Sequence, residues 1–187
     1  IAGVAVVVTV VVLVTAAANN NQGQDANVNP TPDPCDYDGQ STQVDPFIQC
    51  ECEQAISLIN DDVLTQYETN LNYLADAFED GRPLIDSCSA ENMALVWISA
   101  QVVEEAENGK VMLVNRIRTR FTLALLYSSW KGESWIRRTH WLTNNQECIW
   151  DGVSCNTNNT EVIALELPDN NVIGALDTRI GILKDLR

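Results

Sequence analysis

Residues 147–155 read ECIWDGVSC, with a Trp and a Gly between Cys148 and Cys155. Before this stretch the apolar residues recur at three- and four-residue steps, which is typical of helices. After it, Leu165 and Leu167 alternate as in a short strand. The stretch therefore marks the point where the chain changes its local structure, and we predict that it covers one end of the segment that follows.

The segment after Val162 has the spacing of a structural repeat. Leu186 lies 24 residues after Val162, and Asn170 and Gly174 stand between the apolar positions. Asn170 is expected to hydrogen-bond the backbone at the turn that leaves the strand. One repeat cannot bury its own apolar face, so we expect an array that continues beyond Arg187. The apolar positions are Val162, Leu165, Leu167, Val172, Leu176, Ile180, Leu183 and Leu186.

Three helical segments are predicted before the opening stretch. An apolar stripe runs through residues 47–80, Ser89 can cap a second helix that Gly109 ends, and a third occupies residues 110–132. Within the third segment, three arginines at alternate positions spread over different helix faces, so we expect them to be solvated or salt-bridged. They are Arg116, Arg118 and Arg120.

The charge is distributed unevenly along an acidic chain whose formal net charge is -15. Residues 1–81 contain thirteen acidic residues and no Lys or Arg. A segment without cations cannot neutralise phosphates, which argues against nucleic-acid binding. No motif of a known catalytic or metal site occurs, and the single histidine, His140, is expected at the surface. We therefore predict no enzyme activity, no cofactor and no metal site.

Residues 1–18 are uncharged and, as a helix, would span about 27 Å, close to the thickness of a hydrocarbon core. We interpret them as a transmembrane signal-anchor; the alternative is a signal peptide cleaved after Ala18. Residues 19–34 are polar and proline-containing, as in a flexible linker. The lack of Lys and Arg after the apolar segment favours an extracellular location for the rest of the chain.

Six cysteines in such a location indicate disulfides. Cys50 and Cys52 are too close in sequence to pair easily, which leaves two pairings of the first four cysteines open. These are Cys35–Cys50 with Cys52–Cys88, or Cys35–Cys52 with Cys50–Cys88. Asn158-Asn159-Thr160 is an N-glycosylation sequon, so Asn158 is a candidate glycan acceptor.

Residues 141–186 resemble the N-terminal cap and first repeat of plant-type leucine-rich repeat proteins, which are extracellular recognition modules. Residues 120–135 are similar to the helical cap of membrane-anchored leucine-rich repeat proteins of diatom-like algae. The resemblance implies a Cys148–Cys155 disulfide. It also implies that Trp150 packs on the first coil, that Gly152 serves a tight turn, and that Asn170, Gly174 and Leu176 take repeat positions. Asp177 departs from the family, which has Pro there.

These observations predict an α+β chain with an N-terminal transmembrane helix, a helical cap region and the start of a leucine-rich repeat solenoid. The predicted divisions are residues 1–18, the anchor; 19–34, the linker; 35–132, the cysteine-stapled helical region; 133–161, the cap; and 162–187, the first repeat. The expected function is ligand recognition by a single-pass receptor-like membrane protein that binds protein, peptide or glycan. The alternatives are a cell-surface or cell-wall adhesion protein, and a secreted hydrolase inhibitor.

Overall fold

The computed structural model describes residues 58–78, 81–85 and 87–187. These residues contain three α-helices, four short 3₁₀ turns and one two-stranded sheet. The helices are α1 (Asp61–Tyr73), α2 (Ala90–Glu107) and α3 (Val114–Ser129), and the strands are β1 (Val153–Cys155) and β2 (Val162–Leu165). The 3₁₀ turns are Ala75–Ala77, Gly132–Ser134, Glu147–Ile149 and Thr178–Ile182.

The first two helices begin at side-chain caps. Asn60 Oδ1 accepts a hydrogen bond from the backbone N–H of Val63 at 2.9 Å, and Ser89 Oγ accepts one from that of Asn92 at 3.2 Å. These bonds satisfy N–H groups that have no partner inside the helix. After α2, Gly109 adopts a φ of +71°, a conformation that glycine reaches without strain. The predicted cap at Ser89 and the predicted stop at Gly109 are confirmed.

Helix α2 packs against both α1 and α3. The apolar contact includes Leu71, Leu95 and Phe121, all of which are buried. Polar pairs cross the same interface: the Tyr67 hydroxyl donates to Asn92 Oδ1 at 2.8 Å. Burial, assisted by the nearby negative charge of Glu68, raises the pKa of Tyr67 to about 12, so this hydroxyl remains a donor at neutral pH.

The two strands form an antiparallel hairpin. Val153 lies opposite Leu165 and Ser154 opposite Ala164, and the register shifts between Ser154 and Cys155. Val153 and Val162 are buried against the aromatic residues that follow α3. A connection of only six residues, 156–161, permits antiparallel pairing, whereas parallel strands need a much longer crossover.

The predicted fold class is wrong where it requires a repeat solenoid. In the described part of the chain, β2 pairs with β1 in an antiparallel hairpin, and no stack of parallel strands is present. The residues assigned to the first repeat contain one four-residue strand and one 3₁₀ turn. The periodicity after Val162 carries no information about β1, and the short loop between β1 and β2 decides the pairing.

The predicted membrane anchor, residues 1–18, and the linker, residues 19–34, lie outside the described residues. Among residues 58–78, 81–85 and 87–187, no helix combines the length and the apolar composition needed to cross a bilayer.

The guanidinium of Arg179 connects the last 3₁₀ turn to the start of α2. Its Nη2 lies 2.6 Å from both Glu91 Oε1 and Asp177 Oδ2. The side-chain hydrogen bond from Arg179 lowers the pKa of Asp177. Burial acts to raise the pKa of Glu91, but its hydrogen bonds, led by the one from Arg179, outweigh burial and lower that pKa as well.

Arg179→Met is expected to lower the free energy of unfolding by about 1 kcal/mol at pH 7 and by much less at pH 3. Both carboxyl groups have lower pKa values in the folded state than in the unfolded state. Their contribution is therefore complete above about pH 5 and is lost as the pH falls through the folded-state pKa values. Urea denaturation at both pH values checks this, with Lys110→Met as an exposed-cation control. An equal loss at the two pH values would contradict the assignment.

Candidate functional site

The most unusual side chain in the described structure is Arg120, a fully buried arginine in the middle of α3. Its guanidinium carbon lies 5.0 Å from the ring centroid of Trp97 on α2 and 5.1 Å from that of Trp150. The two ring centroids are 6.1 Å apart in an edge-to-face contact, so the cation lies beside this pair and within reach of both rings, and each ring attracts the positive charge. We call the group of Trp97, Arg120, Glu147 and Trp150 the arginine–tryptophan cluster.

The guanidinium also donates to the loop between α3 and the hairpin. Nη2 lies 2.6 Å from the carbonyl oxygen of Thr143, and Nη1 lies 3.0 Å from that of Asn145. Nη1 is also 3.1 Å from Glu147 Oε2, and Nη2 is 3.3 Å from Gln101 Oε1. One side chain therefore fixes the loop to both α2 and α3. Within the described residues, Arg120 Nε has no hydrogen-bond partner.

Glu147 supplies the compensating negative charge. It is largely buried, and its Oε2 also accepts from Arg116 Nε at 3.3 Å. Arg116 in turn contacts Glu105 Oε1 on α2 at 3.1 Å. Burial lowers the pKa of Arg120, and the charge of Glu147 opposes this effect. Because an arginine side chain stays protonated in proteins, the cluster contains a buried ion pair.

The aromatic side chains continue from Trp150 toward the end of α3. The ring centroid of Trp141 lies 5.2 Å from that of Trp150 and 4.9 Å from that of Trp135. Tyr127 contacts both Trp135 and Trp141 through ring centroids 5.2 and 5.9 Å apart. The hairpin thus packs on the helices through a continuous aromatic layer, which buries a large apolar area.

The cluster acts as a structural clamp. Arg120 and Trp150 are almost completely enclosed and Glu147 is largely buried, so the guanidinium has no solvent-accessible surface. His140 is exposed, and its Nδ1 lies 3.0 Å from the side-chain nitrogen of Asn145. In the described residues, no group of three or more His, Cys, Asp or Glu side chains could hold a metal ion.

The structure contains the Cys148–Cys155 disulfide, with the two Cα atoms 5.4 Å apart. The bond links the 3₁₀ turn that carries Glu147 to the end of β1. Cys88 is also disulfide-bonded, to a partner outside the described residues. The remaining predicted disulfide cysteines, Cys35, Cys50 and Cys52, lie outside the described residues as well, so their pairing stays a prediction.

The other predicted site residues are distributed around the hairpin. Trp150 packs on Trp97, Trp141 and Arg120. Gly152 has a φ of +78° in the turn before β1. Leu165 and Leu167 are half-buried beside the aromatic layer. Gly174 lies against the carbonyl oxygen of Ser129. Leu176 and Asn158 are exposed.

Asn170 has a different partner from the expected one. Its Oδ1 accepts from the backbone N–H of Arg137 at 2.6 Å, and its Nδ2 donates to the carbonyl oxygen of Arg137 at 2.8 Å. The buried amide therefore joins the C-terminal segment to the backbone of Arg137, 33 residues earlier, and not to the turn that leaves β2. Asn170 thus hydrogen-bonds the backbone, as predicted, but the backbone of a residue that is distant in sequence.

Sequence reasoning missed the arginine–tryptophan cluster apart from Trp150. All three predicted arginines are salt-bridged, as expected, but Arg120 is also fully buried, which was not expected. A signal for this was present, because Arg120 lies three residues after Ile117 and four before Ala124, on the apolar face of α3. Glu147 and Trp97 gave no comparable signal, since their roles depend on contacts distant in sequence.

Fold and cluster together define a small helical domain with a two-stranded hairpin, and a disulfide and a buried ion pair hold the segment that leads into β1. Comparisons with protein-family models, with curated proteins and with solved structures found no match.

Replacing both hairpin cysteines with serine, Cys148→Ser/Cys155→Ser, is expected to lower the free energy of unfolding by about 2–3 kcal/mol. The disulfide closes a short loop, and the unfolded chain gains conformational freedom when the bond is absent. Urea denaturation of the parent and the double variant measures the difference. An unchanged unfolding midpoint would show that the bond does not stabilise the domain.

Gly152→Ala is expected to destabilise the domain more than Gly109→Ala does, by about 1–3 kcal/mol. Both glycines have similar positive φ angles, so both substitutions cost about 1–2 kcal/mol of backbone strain. Only at Gly152 would the added Cβ collide with the carbonyl oxygen of Glu166 and lie 2.8 Å from Leu167 Cδ2; nothing lies within 4 Å at Gly109. Equal losses of stability for the two variants would contradict the close approach.

Proposed function

We propose that this chain is a non-enzymatic extracellular binding module of a receptor-like membrane protein, with a protein, peptide or glycan as its ligand class. The observation that carries the proposal is the disulfide chemistry. Cys148 and Cys155 are bonded to each other, and Cys88 is bonded as well. Such bonds persist in oxidising compartments and are rare in the cytosol of mesophiles.

Two further properties support this class of function. The buried cluster contributes to rigidity and offers no accessible reacting group, as suits a module that presents a surface and does not transform a substrate. The chain is strongly acidic, with a formal net charge of -15, which disfavours nucleic acid as the ligand. The resemblance of residues 141–186 to the N-terminal cap and first repeat of leucine-rich repeat proteins stays a prediction.

Topology in intact cells tests the proposal. The full-length protein carries a different epitope tag at each end and is expressed in its own cell type or in a eukaryotic secretory host. Protease added to intact cells should remove the C-terminal tag and leave the N-terminal tag protected and cell-associated. A cytosolic tag of known location serves as the integrity control.

Two results would contradict the proposal in different ways. If both tags resist protease until the cells are permeabilised, the module is intracellular and the proposed location is wrong. If the chain is found in the medium with a new N-terminus at Asn19, the membrane-protein part is wrong, and a secreted binding protein replaces it.

A further inference from the structure

The loop that joins β1 to β2 carries the sequon Asn158-Asn159-Thr160 at the solvent end of the hairpin. Residues 157–160 are all exposed, whereas Val153 and Val162 on the adjoining strands are buried. A glycan on Asn158 would therefore project into solvent without displacing any core side chain. The position fits a modified residue, and the conformation of the loop indicates when the modification takes place.

The folded loop already engages the hydroxyl group that defines the sequon. Asn156 Nδ2 donates to Thr160 Oγ1 at 2.9 Å. Asn156 Oδ1 accepts from the backbone N–H of Thr160 at 3.0 Å and from Oγ1 at 3.3 Å. The third residue of a sequon is selected for its hydroxyl, which must be presented to the transferase together with the acceptor amide. In the closed hairpin, Asn156 competes for that group.

The backbone of the sequon is fixed as well. Asn159 has a φ of +54°, and its N–H donates to the carbonyl oxygen of Asn156 at 2.9 Å. Its own carbonyl oxygen accepts from Gln146 Nε2 at 2.8 Å. The loop is therefore a hydrogen-bonded turn tied to the neighbouring segment, and a transferase would have to unfold it to bind the three residues.

The disulfide limits that opening. Cys155 is the last residue of β1 and is bonded to Cys148, while the next residue, Asn156, donates its N–H to the carbonyl oxygen of Glu161 at 2.9 Å. Once the disulfide has formed, the N-terminal base of the loop is covalently held beside the 3₁₀ turn that carries Glu147. Local opening of the sequon then has a free-energy cost that is absent in the unfolded, reduced chain.

We propose that Asn158 accepts an N-linked oligosaccharide only before the β1–β2 hairpin closes, and that the Asn156–Thr160 bonds and the Cys148–Cys155 disulfide end this period. The donor is an oligosaccharide carried on a lipid pyrophosphate. Asn158 Nδ2 forms a bond to the anomeric carbon of the first sugar, and the bond from that carbon to the pyrophosphate oxygen breaks. The lipid pyrophosphate leaves, and the amide gives up one proton to a base on the transferase.

Glycan transfer to the purified full-length chain tests this timing. The chain is produced without glycan and incubated with a microsomal transferase and its lipid-linked donor. Five substrates are compared: the folded oxidised parent, the reduced and alkylated parent, folded Asn156→Ala, folded Cys148→Ser/Cys155→Ser, and reduced and alkylated Asn158→Gln. Mass analysis of the peptide that contains residue 158 gives the initial rate of transfer.

We expect rapid transfer to the reduced parent, very slow transfer to the folded parent and none to Asn158→Gln. Asn156→Ala loses the hydrogen bonds that hold Thr160, so the rate for the folded chain should rise about two- to tenfold. Folded Cys148→Ser/Cys155→Ser should also exceed the parent. Equal rates for the folded and reduced parent would overturn the timing, and no transfer to the reduced parent would overturn Asn158 as the acceptor.

The inference rests on the proposed extracellular location only for its occurrence in the native cell. Because the transfer assay uses purified components, its result does not depend on where the protein resides. A failed assay leaves the topology result intact, and a cytosolic location found by protease protection leaves the transfer rates intact.

Discussion

Arg120→Met is expected to lower the free energy of unfolding by about 3–5 kcal/mol. The substitution leaves the buried carboxylate of Glu147 with Arg116 as its cationic partner, and it removes the donors to the carbonyl oxygens of Thr143 and Asn145. It also removes the cation that lies about 5 Å from the centroids of two indole rings. Urea denaturation followed by Trp fluorescence and by circular dichroism measures the change.

Three companion variants separate the causes of that loss. Arg120→Lys keeps the charge but not the planar set of donors, so its free energy of unfolding should lie between those of the parent and Arg120→Met. Arg120→Met/Glu147→Met should be more stable than Arg120→Met, because it removes a buried carboxylate that has lost one of its two cationic partners. Arg82→Met, which breaks an exposed ion pair with Glu68, should change stability by less than about 1 kcal/mol. If Arg120→Met is no less stable than Arg82→Met, the clamp does not exist.

Trp150→Ala is expected to cost about 3–5 kcal/mol of stability. The indole is almost fully buried, lies against Trp97, Trp141 and the Arg120 guanidinium, and donates from Nε1 to the carbonyl oxygen of Asn145 at 3.3 Å. Its removal leaves a cavity at the junction of helices and hairpin, and the rings around it cannot all move inward.

The neighbouring residue supplies a matched control for Trp150. Ile149, the last residue of the 3₁₀ turn that precedes Trp150, is 54% exposed, so Ile149→Ala should change stability by only about 0.5 kcal/mol. Trp150→Phe keeps an aromatic ring, so its loss of stability should lie between those of Trp150→Ala and Ile149→Ala. Equal losses for Trp150→Ala and Ile149→Ala, measured by chemical denaturation, would show that the aromatic layer is not a continuous core.

Arg120 and Glu147 also show why only part of the candidate site was predictable. The structure has side-chain N-caps at Asn60 and Ser89. The cap at Ser89 could be predicted from the sequence because an N-cap depends on a few adjacent residues. The environment of Arg120 instead depends on Thr143, Asn145 and Glu147, which come 23 to 27 residues later. No local spacing encodes such contacts.

The hairpin shows a different limit of sequence reasoning. The intervals after Val162 fit a repeat, but β2 forms its backbone hydrogen bonds with β1, which precedes it across a short loop. Asn170 likewise has a partner that its local sequence does not indicate. Its amide satisfies both backbone groups of Arg137, a pairing that a search for the nearest turn does not consider.

We propose that residues 147–155 form a disulfide-closed loop at the start of the hairpin and that the bond forms in an oxidising compartment. Alkylation of free thiols in intact native cells, followed by non-reducing peptide mapping, tests it most directly. We predict a peptide pair linked through Cys148 and Cys155, with Cys88 also protected from alkylation. Recovery of Cys148 and Cys155 as alkylated free thiols would contradict both the closed hairpin and the extracellular location.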